Sequence, residues 1–362
     1  MHFFGHQRPA SLAIAATLAA CASAQTYTSC NPLTSTSCPA NTALGMAINV
    51  DFTKGSVNSF TASGGGTVSY GSDGATFTVS ESGDAPQLSS VFYIMFGRVE
   101  LTMKAAPGAG IVSTLVMQSD DLDEIDMEWL GADDSEVQTN YFGKGQTITY
   151  NRGQFNPAAD NQAGFITYTI DWTAARIEWS VGGTVVRTLA YEDADTDQYP
   201  QTPMQVKFGA WAGGDTSTNA EGTVEWARGP TVFSDGPFSM VVQSIVVSDY
   251  STGSSYVYTN TSGDWQSIEA VDGEVGVNSG TGATATATAT ASTATSSNLA
   301  VPAGIGSSAS TTTASSTIPS GWVMTASGKI VPASSNATRP PQFWILATQV
   351  FGCFFVGLLL LQ

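Results

Sequence analysis

Asp123-Glu124-Ile125-Asp126-Met127-Glu128-Trp129-Leu130-Gly131 is the stretch on which the reading of this sequence turns. Acidic and apolar residues alternate along it with a period of two. In a β-strand successive side chains point to opposite faces, so Glu124, Asp126 and Glu128 share one face while Ile125, Met127 and Trp129 share the other. Three carboxylates in a row are costly, because like charges that close destabilise a sheet and raise the pKa of at least one of them. Taken alone, E-x-D-x-E reads as readily as a solvated acidic edge strand or a calcium site as it does as a catalytic set. The apolar, aromatic far face tips the balance: the strand is buried on one side and holds its acids rigidly on the other. Calcium more often recruits Asp, Asn and carbonyl oxygens from a loop, and no metal is expected.

Working outward, the acidic segment continues a strand-like run over residues 111–118. Val99, Leu101 and Met103 alternate with Arg98, Glu100 and Thr102, and Ile166, Tyr168, Ile170 and Trp172 alternate with Thr167, Thr169 and Asp171. Residues 177–181 and 184–189 are joined by Gly182-Gly183, a two-residue turn in which both positions can take positive φ, so they predict a hairpin. Further strands are predicted over 206–211, 222–226 and 240–247, and no helix before the C-terminal tail. Many strands, Gly-rich turns and no crossover helices imply an all-β fold, an antiparallel sandwich or jelly roll, forming one unit over residues 25–275.

The ends carry addresses. Arg8, an apolar stretch over 12–20 and Ala22-Ser23-Ala24 predict a signal peptide over residues 1–24, cut before Gln25. Residues 343–361 are almost wholly apolar, long enough to span a membrane. A polar spacer and the small residues Ser334, Ser335 and Asn336 precede them, which is the pattern of a GPI-attachment signal, with 336–362 as the discarded propeptide and any of those three residues as the lipidation site. No positively charged cytoplasmic stop follows the tail, which weakens the transmembrane alternative. Residues 276–335 are rich in Ser, Thr and Ala and read as a disordered, O-glycosylated stalk. Processing would remove Cys21 and Cys353 and leave Cys30 and Cys38, expected to form a disulfide in an oxidising compartment. Asn260 opens a glycosylation sequon, as does Asn336.

Composition excludes several chemistries. The two histidines, His2 and His6, both precede the predicted cleavage point, so His-dependent triads and His-ligated metals are ruled out of the mature protein and no cofactor is expected. A formal charge of -18 with 12 Lys+Arg argues against nucleic acid as a partner. Carboxylates remain for acid–base work, and rigid carboxylates with separated pKa values are what glycoside cleavage uses. Glu124 and Glu128 would stand roughly 13 Å apart at Cα in an extended strand. A retaining mechanism places its carboxyl groups about 5–5.5 Å apart. Long Glu side chains leaning over the shorter Asp126 make that feasible. Glu124 would then attack the anomeric carbon, Glu128 would act as acid and base, and Asp126 would orient Glu124 and help keep Glu128 protonated.

These residues resemble the E-I/L-D-x-E signature of glycoside hydrolase family 16, and their surroundings resemble its fungal Crh-type chitin–glucan transglycosylases. The likeness runs in order over roughly residues 30–267 and includes Gly97-Arg98-Val99-Glu100, Gln138-Thr139-Asn140-Tyr141-Phe142, Thr167-Tyr168-Thr169-Ile170-Asp171-Trp172 and Trp211-Ala212-Gly213-Gly214. It implies a β-jelly roll with a sugar cleft across the concave sheet, Glu124 as nucleophile and Glu128 as acid/base. It further implies a surface-anchored enzyme, expected to be monomeric, with chitin and β-glucan as partners and anchored to membrane or wall through GPI. The alternatives are a secreted endo-β-glucanase using the same triad with water, and a non-catalytic wall-binding lectin. Met127 and Ile166 depart from the family pattern, Met127 on the far face where packing should feel it. Tyr141, Trp211 and Trp226 are candidate sugar platforms, and Gln138 and Asn140 candidate hydroxyl binders.

Overall fold

The inward-facing halves of the alternating strands become the facing surfaces of two stacked sheets. The computed structural model describes residues 28–146 and 151–277, together with the strand segments Thr286–Ala289, Trp322–Met324 and Ile330–Pro332. One seven-stranded sheet runs, in spatial order, Gln154–Pro157, Glu136–Phe142, Glu124–Leu130, Ile111–Ser119, Met204–Ala212, Gln87–Ile94 and Phe60–Ser63. The second runs Thr184–Ala190, Arg176–Val181, Ile166–Trp172, Gly97–Lys104, Phe238–Asp249 and Ala47–Asp51, with Gly74–Val79 also paired to Phe238–Asp249 and Thr67–Gly71 beyond it. Pairings among these strands are antiparallel, which bears out the all-β sandwich.

Large apolar side chains fill the space between the sheets. Trp129 of the first sheet meets Tyr168 of the second edge-to-face, ring centroids 4.5 Å apart, and both are fully buried with Trp172 and Trp179. Truncating such an aromatic costs about 3–5 kcal/mol. Ile125, Met127 and Trp129 all lie in this core at zero exposure, so the far face of the acidic strand is the face that fixes it. Ile166 packs partly buried against the same core. The Gly182-Gly183 turn has φ of 57° and 81°, as the hairpin requires.

Two local expectations are corrected. The acidic segment does not continue the preceding run: Ile111–Ser119 and Glu124–Leu130 are separate antiparallel strands, folded back at residues 120–123, where Leu122 takes φ 68°. The turn is held by buried charge. Asp123 accepts from the Lys144 backbone at 2.9 Å, the Gln201 backbone at 2.8 Å and Thr202 Oγ1 at 2.9 Å, while Lys144 Nζ lies 3.3 Å from Asp123 and 3.6 Å from Asp121. The second correction concerns 222–226, which is not a strand: Glu221–Trp226 is a short α-helix. Its β-branched Thr223 and Val224 favour strand, but Trp226 bonded to Gln138 and Arg228 paired with Asp133 pin the segment over the first sheet, so tertiary context overrides propensity.

A third small sheet, Asn41–Thr42 with Ser255–Tyr258 and Ile268–Val271, closes one end. Buried Asp249 ties it on, accepting from Gly45 N at 2.9 Å, Met95 N at 3.1 Å and Tyr256 Oη at 2.5 Å. Cys30 and Cys38 are disulfide-bonded. Within the stretch read as a stalk, Thr286–Ala289 runs parallel beside Ala47–Asp51. The expected signal peptide, the lipidation candidates Ser334, Ser335 and Asn336, the apolar tail and most of the stalk lie outside the described residues. Among those described, no helix is long and apolar enough to cross a membrane.

Candidate active site

Glu124, Asp126 and Glu128 rise from the sheet face away from the core, each between two cross-strand partners. Gln118, Val116 and Thr114 stand opposite them on one neighbour, and Phe142, Asn140 and Gln138 on the other. The acids therefore sit in an interior strand, not on a solvated edge. Glu124 and Asp126 are buried and Glu128 partly so. Trp179 Nε1 donates to the Asp126 backbone carbonyl at 3.2 Å, holding the middle of the strand from the opposite sheet.

Burial raises all three carboxyl pKa values, and neighbours separate them. Glu124 is pushed to about 7 by burial, against the pull of the Lys207 charge and of hydrogen bonds from Gln118 and Asp126. Gln118 Nε2 donates to Glu124 Oε2 at 2.9 Å, and Lys207 Nζ donates to Gln118 Oε1 at 2.9 Å. Glu128 is pushed higher, to about 8, by burial and then by the Glu124 charge. Asp126 lies well above its ordinary value through burial and through the charges of Glu128 and Glu124 on either side. Its Oδ1 is buried with no partner among the described residues, a state a neutral carboxyl tolerates better than a carboxylate. Glu124 thus releases its proton at lower pH than Glu128, and Asp126 between them is raised by burial and by both neighbours. Such a pair can attack one atom and protonate its neighbour.

Beyond Glu128 the same face turns aromatic. Trp211 and Trp226 stack at 6.2 Å and 25°, packed on Val112, Leu130 and Ala227 in a small apolar cluster separate from the main core. Trp226 comes from the short helix, and its Nε1 donates to Gln138 Oε1 at 3.1 Å. Gln138 and Asn140 stand on the acid face, opposite Glu128 and Asp126. Tyr141 does not join them. It pairs with Ile125, is 4 % exposed within the core, and lies 5.8 Å from the Arg152 and 5.6 Å from the Arg187 guanidinium, so its ring is not offered to the cleft. Asn260 is exposed, its Oδ1 accepting from Ser262 N at 2.8 Å. Among the described residues no cluster of His, Cys, Asp and Glu is placed to hold a metal.

Gln118 and Lys207 were not singled out from sequence. Gln118 lies six positions from Glu124, and only the 120–123 turn makes them cross-strand neighbours; Lys207 joins through a strand almost a hundred residues on.

Comparison with known proteins gives the family. Residues 55–228 match the model of glycosyl hydrolases family 16. The chain is 62% identical over 331 residues to Crh-like protein 4 of Botryotinia fuckeliana, covering 86% of this chain and 87% of that one. Against Crh-like protein 4 of Aspergillus fumigatus it is 47% identical over 339 residues, covering 88% and 74%. A solved structure of Crh5 transglycosylase in complex with NAG superposes with a TM-score of 0.64 at 50% identity, covering 66% of this chain and 99% of that chain. The chain belongs to the Crh-like group of glycosyl hydrolase family 16, a family of glycosidases and transglycosylases.

Proposed function

We propose that this protein is a retaining transglycosylase that cleaves chitin and transfers the fragment to β-glucan, cross-linking the wall. The observation that carries the reading is that Glu124, Asp126 and Glu128 stand on one face of an interior strand, turned away from the core and beside the stacked Trp211 and Trp226. The Glu124 carboxylate attacks the anomeric carbon as the glycosidic C–O bond breaks, and Glu128 gives its proton to the departing oxygen. The glycosyl–Glu124 ester is then opened by an acceptor hydroxyl whose proton returns to Glu128. Asp126 hydrogen-bonds Glu124 and keeps it poised between the two states. Trp211 and Trp226 supply stacking faces, and Gln138 and Asn140 bind hydroxyls.

The half-identical relative solved in complex with NAG is a transglycosylase, which supports both the reaction and the donor. We place the enzyme at the cell surface on a Ser/Thr-rich stalk over residues 276–335, with residues 25–275 as the catalytic unit, residues 1–24 removed on export and a GPI anchor near Ser334, Ser335 or Asn336. Incubating a chitin oligosaccharide donor with a labelled β-glucan oligosaccharide and weighing the products tests the reading. Hybrid products should dominate when acceptor is abundant; shortened donor alone at every acceptor concentration would make it a hydrolase, and tight binding without turnover a lectin.

A further inference from the structure

We propose that Arg187 is a positioning residue for the acid row: reaching across from the second sheet, its guanidinium braces the buried side of the ladder that carries Asp126 and sets a positive charge behind the three carboxyls. Arg187 lies on Thr184–Ala190, directly opposite Trp179 of Arg176–Val181. The register slips just past that pair, from Trp179 opposite Arg187 to Ser180 opposite Val185, so Val186 is an extra residue. A bulge of this kind re-aims the side chains beside it. Both members of the pair face inward, Trp179 fully buried and Arg187 half-buried on the same face as buried Leu189.

The two side chains meet the acidic strand and its neighbour from behind. Trp179 Nε1 donates to the Asp126 carbonyl at 3.2 Å. Arg187 Nη1 donates to the Thr139 carbonyl at 2.8 Å and to Thr139 Oγ1 at 3.0 Å, while Nη2 donates to the Arg152 carbonyl at 2.8 Å. Thr139 stands opposite Met127 and beside Asn140, the partner of Asp126. The guanidinium also lies 4.8 Å from the Trp179 ring centroid, so Arg187 steadies the indole that holds Asp126.

These bonds leave the charge itself uncompensated. All the acceptors are neutral, and among the described residues no carboxylate lies within ion-pair distance of Arg187. A cation drawn out of water is costly unless it faces negative charge, and the negative charge at hand is the acid row on the far face of the same ladder. Burial and the two glutamates raise the Asp126 pKa, and the Arg187 charge lowers it. Lys207 does the same for Glu124 from the acid face. The other charged or titratable groups nearby are Tyr141, its ring 5.6 Å from the guanidinium, Arg152, paired with Asp195 at 4.0 Å, and Asp120, which acts on Lys207.

The test rests on the proposed glycosyl transfer. Three adjoining acids titrate as a coupled set, and removing a positive charge beside them raises the macroscopic pKa values of the set. Glycosyl-enzyme formation with a donor carrying a good leaving group is measured against pH in two variants. Arg187→Gln keeps donors without charge; Arg187→Lys keeps charge without the fork. Arg187→Gln should move the acid limb up by about half a pH unit or more, a further loss of about threefold below the limb that is absent above it. Arg187→Lys should hold the limb within about 0.2 unit, whatever it loses in plateau rate. Arg187→Met takes the place of Arg187→Gln if that variant fails to fold. An unmoved limb in the neutral variants, or an equal shift in Arg187→Lys, would overturn the proposal. If the wild-type protein neither cleaves nor transfers any oligosaccharide, the functional reading fails, while carbon-13 NMR of labelled glutamate carboxyls still decides the role of Arg187. The Glu124 and Glu128 midpoints, assigned with Glu124→Gln and Glu128→Gln, should rise in Arg187→Gln and stay in Arg187→Lys; unmoved midpoints in Arg187→Gln would sink it.

Discussion

Gln118 Nε2 donates to Glu124 Oε2 at 2.9 Å while Gln118 Oε1 accepts from Lys207 Nζ at the same distance. Lysine has no acceptor, so the amide can take only the orientation that presents its NH₂ group to the carboxylate. Charge on Lys207 and the donor on Gln118 both pull the Glu124 pKa down against burial. Replacing Gln118 with Leu, or Lys207 with Met, should therefore raise it. The acid limb of the kcat/KM profile, set near 7 by Glu124, should move to higher pH, narrowing the window below the limb set near 8 by Glu128. A variant that loses activity uniformly at every pH would show the chain of bonds to be structural only.

The raised carboxyls also fix a direction for stability. The folded-state value for Glu128 is about 8 against an ordinary 4.5, so between these pH values the folded protein holds a proton that the unfolded chain has released. Stability contributed by this group is full below about 4.5 and is lost as pH rises through 8. Glu128→Gln removes that penalty and should stabilise the protein at pH 8 by on the order of 1–2 kcal/mol, allowing for its partial exposure, with little gain near pH 4.5. Denaturant unfolding of both proteins at the two pH values measures the difference; an equal effect at both would contradict it.

Lys144 is the cation over two buried carboxylates, 3.3 Å from Asp123 and 3.6 Å from Asp121, with Nζ also donating to the Gly263 carbonyl at 2.7 Å. Removing one partner of a buried ion pair leaves the other uncompensated and costs about 3–5 kcal/mol. Lys144→Met should fall in that range by urea unfolding, since it strips the 120–123 turn of its charge balance. A loss below about 1 kcal/mol would show that Asp123, already raised to about 7 by burial, takes up a proton instead.

The period-two pattern made the sandwich and the orientation of the acidic strand legible, because burial of Ile125, Met127 and Trp129 dictates which way Glu124, Asp126 and Glu128 must point. The same rule, applied across the ladder, would have separated Gln138 and Asn140 from Tyr141, but it needs the register with Glu124–Leu130, and register is a non-local property. Helix Glu221–Trp226 was hidden by its β-branched residues, and what holds it, Trp226 on Gln138 and Arg228 on Asp133, lies about ninety residues away in sequence. Lys207 looks in sequence like any polar position of an alternating strand; only pairing across Ile111–Ser119 brings it toward Glu124.

The division of labour among the acids gives the last expectation. In a two-step mechanism only the nucleophile becomes covalently labelled, whereas the acid/base residue matters in proportion to how much protonation the leaving group needs. Glu124→Gln should abolish formation of the glycosyl-enzyme with every donor. Glu128→Ala should spare that step for a donor with a good leaving group, because such a group departs without a proton, and then stall, because no base activates the acceptor. Azide needs no deprotonation, so it should rescue Glu128→Ala by ten- to a hundredfold and give a glycosyl azide of retained configuration. Asp126→Asn keeps the shape and a donor to Glu124 but loses a titrating neighbour of both glutamates, so it should lower turnover while leaving the fold intact. Mass spectrometry of the trapped intermediate on the three variants decides the assignment: a label on Glu128, or persistent labelling of Glu124→Gln, would reverse it.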